Sequence, residues 1–154
     1  MSESAIRAQI YSILNNVTNA GKVYDYERWA ADWEKFISLF KATISGSDQI
    51  RGWEIGRQSM AEKNAGVGGG SAGNEKTHTF VIHGYLGLND AGATEKTFNS
   101  LIEAVGDAFR TNLTLNGSCW GHGFIQVRIV EARMFGSVIC HYAELSLEVW
   151  EELT

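Results

Sequence analysis

The sequence predicts an α+β fold, with helices packed on one face of a mainly antiparallel sheet and a C-terminal β-hairpin. Three observations lead there. Residues 76–86 alternate, placing His78, Phe80 and Ile82 on one face and Thr77, Thr79 and Val81 on the other, as a half-buried strand requires. Phe98, Leu101, Ile102, Val105 and Phe109 then recur at helical spacing. Residues 123–134 and 138–149 alternate on either side of Phe135-Gly136-Ser137, the pattern of an antiparallel hairpin.

Composition agrees with a globular reading and narrows the partners. The 154 residues are 44% hydrophobic and 20% charged, and a chain of this length buries roughly 70% of its unfolded surface, so one domain spanning 1–154 is expected. A formal charge of -5, with Lys and Arg dispersed, argues against direct sequence-specific nucleic-acid binding, which rests on clustered cations. No apolar run approaches the roughly 20 residues of a membrane span, so no membrane partner is expected. Met1-Ser2-Glu3-Ser4 lacks the parts of a signal peptide, and the chain reads as cytoplasmic. Cys119 and Cys140 are then expected as free thiols, Cys140 as a small apolar strand residue.

In chain order, Ile6, Ile10, Ile13, Leu14 and Val17 share one face of a first helix, capped by Ser2 or Ser4 and ended by Gly21. Residues 22–26 are β-prone. Trp29, Trp33, Phe36, Ile37 and Phe40 form an aromatic stripe on a helix starting near Asp25 or Tyr26, a pattern that usually marks core. Residues 50–58 read as a strand, with Trp53 and Ile55 in one row and Arg51 and Arg57 at its ends. From 59 to 75 a flexible glycine-rich loop is expected, because five glycines in the eight residues 66–73 make a fixed conformation entropically costly. Residues 84–90 read as a turn, and Thr94 is placed to cap the helix that follows. Residues 111–122 read as a loop. In the first hairpin strand the apolar phase slips after Ile129 to Val130, Ala132 and Met134, which predicts a bulge or a region covered on both faces. Trp150, Glu151 and Glu152 close the chain with no further element.

No catalytic grouping emerges. Cys119 and His122, with Cys140 and His141, are the best zinc candidates, but adjacent strand residues point to opposite faces, so no metal site is expected. His78 and His83 differ in strand parity. No Gly-Lys-Ser/Thr ends the glycine run, so it is not a phosphate loop, and no cofactor is expected. Glu151 with Glu152, and Asp107 with Glu103, read as solvated carboxylates. The sequence therefore predicts a protein that is not an enzyme.

The helix containing Ile6 to Val17, the Gly21-Lys22-Val23-Tyr24-Asp25-Tyr26 segment, the glycine-rich hairpin, and the strand, helix and final hairpin together resemble the tail terminator or tail completion proteins of long-tailed bacteriophages. The resemblance implies a small α+β subunit, made in the host cytoplasm and carried in the tail or neck of the virion. It implies a hexameric ring of copies of itself that caps the tail tube protein and docks it to a head-completion or neck protein. Arg51, Arg57, Lys63 and Lys76, flanking Gly66, Gly68, Gly69 and Gly70, are then the expected partner-binding residues. The alternatives are a head-tail adaptor and a small α+β ligand-binding or hydrolytic domain that uses the aromatic helix to line a pocket.

Overall fold

A computed structural model of the protein describes residues 1–64 and 73–153. Its elements are α1 (Glu3–Asn15), β1 (Lys22–Tyr24), α2 (Trp33–Ser38), β2 (Lys41–Ile44), β3 (Ser47–Asn64), β4 (Asn74–Gly87), α3 (Thr94–Arg110), β5 (Gly121–His122), β6 (Gln126–Phe135) and β7 (Val138–Leu153). The described strands form one sheet in the order β1-β3-β4-β7-β5; β2 shares the outer side of β3 with β1, and β6 shares the outer side of β7 with β5. Among the described strands only the β1–β3 pairing is parallel. The fold is α+β on a mainly antiparallel sheet.

Helices α1 and α3 cover one face. Ile6, Ile10 and Leu14 from α1 and Phe98, Val105 and Phe109 from α3 meet Trp53, Ile55, Phe80, Ile82, Leu145 and Leu147 from the sheet. Each such side chain contributes roughly 1.5–3 kcal/mol through burial. As expected, Ser2 caps α1, its hydroxyl accepting from the Ala5 amide at 3.2 Å. Gly21 does not end that helix. The helix stops at Asn15, while Gly21, at φ +89°, lets the chain pass against the Arg51 backbone, where a Cβ would collide.

The short α2 covers the opposite face, where Phe36, Ile37 and Phe40 pack on Tyr85, Cys140 and Tyr142. The long aromatic helix expected from residue 25 onward is reduced to six residues. Asp32, in extended conformation, starts the helix afresh by accepting from the Lys35 amide at 2.8 Å. Upstream, the Arg28 amide is committed to Glu54 instead of to a helical carbonyl. Trp29 and Trp33 are consequently 76% and 57% exposed rather than core.

Much of the stretch expected as a flexible loop at 59–75 is strand. Residues to Asn64 belong to β3 and those from Asn74 to β4, paired from Ser59↔Thr79 to Asn64↔Asn74. Their backbone ladder is backed by β7, which pairs with β4 along its whole length and so compensates for the few apolar side chains. Gly66, Gly68, Gly69 and Gly70 lie outside the described residues. The expected turn at 84–90 begins later, since β4 runs through Gly87. The expected cap at Thr94 is also displaced. Ala93, in the left-handed region, occupies the cap position without a side-chain bond, and the Thr94 hydroxyl accepts from the Asn89 amide at 2.9 Å and lies 2.8 Å from His141 Nε2. The chain end is not irregular either, because β7 extends to Leu153 and buries Glu151 against His78 at 2.7 Å. Glu151 is thus not solvated. Strand β2, unforeseen, turns into β3 through Ser45 and Gly46, both with positive φ. The β6 bulge is present, with its register shift between Val127 and Ile129. Among the described residues no helix is long and apolar enough to cross a membrane.

Candidate functional site

On the α2 face, strand register lines up Glu54 of β3, His83 of β4 and Glu144 of β7 in one row. Glu54 is buried because its same-face neighbours on β3 are Gly52 and Gly56, which let chain pack directly on the strand. Phe40 covers Gly52, and the Glu27 side chain covers Gly56. Buried in this way, a carboxylate needs donors. Glu54 receives the Arg28 amide at 2.8 Å and the Tyr85 hydroxyl at 2.9 Å, and His83 Nδ1 lies 3.3 Å away. The other His83 nitrogen is 3.9 Å from Glu144, which also accepts from the Tyr142 hydroxyl at 3.3 Å.

Burial, reinforced by Glu54, pushes the Tyr85 phenol far above its ordinary range; burial and Glu144 push Tyr142 in the same direction. Both phenols therefore remain protonated donors. Around this polar floor stand Trp29, Trp33, Phe36 and Phe135, enclosing about 230 Å³. Trp33 meets Phe36 and Phe135 edge to face at 5.7 and 6.0 Å. The Arg133 guanidinium lies over the Tyr142 ring at 3.9 Å and pairs with Glu131. Ser137, in the β6–β7 turn, donates to Glu34 at 2.7 Å and ties that turn to α2. The groove is thus assembled from α2, the irregular chain before it and four strands, β3, β4, β6 and β7.

The residues expected to meet a partner are not gathered in one place. Arg51 is only 8% exposed; it donates to the Asn19 carbonyl and to Gln49, so it is a structural cation and not a surface contact. Lys63 pairs with Glu75 at 2.9 Å and Lys76 with Glu62 at 3.3 Å across the β3–β4 arm. Arg57, exposed beside the bulge at Gln58, has no ion pair among the described residues. Cys119 belongs to the core under α1 and α3 and Cys140 to the core under α2, on opposite faces of the sheet. Among the described residues no cluster of His, Cys, Asp and Glu has metal-binding geometry.

A second surface lies along β6. Its residues Val127, Val130, Ala132 and Met134 share a face with Ile139 of β7, and all are exposed. The outer edge of β6 carries no strand among the described residues, and neither does β3 beyond Glu54 on the far side of the sheet. The sequence reading did not single out Glu54, Tyr85, Tyr142 or Glu144, and it set His83 aside. The readable sign was the Gly52-Trp53-Glu54-Ile55-Gly56 stretch, an acid flanked on its own face by two glycines. Compared with protein-family models and with curated proteins, the sequence matches none.

Proposed function

We propose that the protein is a non-catalytic assembly subunit of the tail-terminator kind, closing into a ring of its own copies on the end of a phage tail tube and joining it to the neck. The observation that supports this reading is the β6 edge. An open strand edge flanked by Val127, Val130, Met134 and Ile139, between 42% and 57% exposed, is a surface that soluble monomers avoid and interfaces use. The open edge of β3 on the opposite side of the sheet gives one copy something different to offer the next. That asymmetry suits head-to-tail contacts, which close into rings.

Light scattering over a range of concentrations, followed by electron microscopy with tail-tube protein added, tests the reading. Rings, or a closed layer on the tube end, are the expected result. The double variant Val130→Lys with Met134→Lys should remain monomeric with an unchanged melting temperature, since both side chains are exposed. A wild-type protein that stays monomeric and ignores the tube at every concentration defeats the proposal. A head-tail adaptor would instead bind the head-side ring and leave the tube untouched. The groove under α2 favours a second reading, a ligand-binding domain, which requires saturable binding by the monomer.

A further inference from the structure

We propose that the groove under α2 is a cage for a single cationic side chain, an arginine or lysine presented by a protein partner. Size is the first argument. At about 230 Å³ the space lies below the roughly 300–1,000 Å³ usual for drug-sized ligands, and it matches one protruding side chain better than a cofactor. Its walls are the second. Trp29 and Trp33 stand at the rim with their rings largely in solvent, and Phe36, Tyr85, Phe135 and Tyr142 lie deeper. Aromatic faces attract ammonium and guanidinium groups, tryptophan most strongly.

Charge is the third argument. Glu54 lies at the floor, Glu27 lines the wall, and Glu144 sits beside His83 with its side chain 26% exposed. Burial first, and then Glu54 beside Tyr85 and Glu144 beside Tyr142, hold both phenols above their ordinary range. Of the two guanidiniums nearby, Arg28 lies over Tyr24 and Tyr26 and Arg133 over Tyr142 beside Glu131, so each is already matched. Arg133 also shows what this wall accepts, since the protein stacks one of its own guanidiniums there. The tryptophans at the rim carry no such cation among the described residues.

The assignment rests on the groove and not on ring formation. In the full chain, the indole signals of Trp29 and Trp33 should shift saturably on titration with acetyl-arginine amide. Acetyl-citrulline amide, equally long but uncharged, should bind at least fivefold more weakly, and acetyl-glutamate amide should not bind. Trp33→Ala and Glu144→Gln should each weaken arginine-amide binding at least fivefold while the melting temperature stays within a degree or two. Neither removes a fully buried group. Equal binding of the neutral analogue, a preference for the glutamate analogue, absence of any saturable shift, or variants that bind like wild type would each overturn the proposal. Light scattering on Trp33→Ala reports ring formation separately, so failure of the cage and failure of the ring are distinguishable.

Discussion

Trp53 is fully buried at the centre of the larger core, stacked on Phe98 with ring centroids 6.0 Å apart. Its cross-strand partner is Gly84, and its six-membered ring occupies the space where a side chain on Gly84 would be. Because Trp53 is hemmed in by core, that ring has nowhere to retreat. Gly84→Ala should therefore destabilise the protein by about 1–3 kcal/mol, the usual penalty of overpacking. Urea unfolding checks this: the midpoint should fall while the slope stays constant. A midpoint within error of wild type would mean the Trp53 ring can shift. The glycine was visible in the sequence as part of a supposed turn, and only the register shows that it serves a tryptophan on the neighbouring strand.

Among the elements, α1, α3, β4 and β7 were legible because each is long, periodic and covered on a face that its own pattern defines. Ser2 belongs with them. Its hydroxyl satisfies an amide that α1 cannot satisfy itself, and Ser2→Ala should lower stability by about 1 kcal/mol in thermal or urea unfolding. The α2 region was misread for the opposite reason. The spacing of Trp29, Trp33 and Phe36 fits a helix, yet the Arg28 amide is claimed by Glu54, a residue on another element. No local pattern carries that information. The same holds for the groove floor, where Glu54, His83 and Glu144 lie in three strands and meet only through β3–β4 and β4–β7 register. Alternation told which face each residue takes, but not which residues stand opposite.

For the molecule as a whole, burial of acidic protons sets a direction for its pH response. Tyr85 and Tyr142 hold their protons above the ordinary tyrosine value, and burial pushes the Cys140 thiol up to about 11 from 9.0. In each case the native state keeps a proton that the unfolded chain releases at lower pH. Their contribution is complete below the unfolded values, near 9 for the thiol and 10 for the phenols, and is lost as pH rises beyond them. Melting temperature should be steady from pH 7 to 8.5 and fall toward pH 11, and the fall should be shallower in Cys140→Ala. A flat profile up to pH 11 would contradict this account. Beyond equilibrium, the place of β7 bears on how the chain is made. β4 leaves the ribosome with β3 beside it, while its other edge, Asn74 to Gly87, waits until α3, β5 and β6 have been synthesised. At roughly 5–20 residues per second that interval lasts seconds, long against hairpin closure. During it the nascent chain shows a long unpaired ladder to its surroundings, so the yield of folded protein depends on the pace of translation through residues 88–153 and on whatever shelters β4 meanwhile.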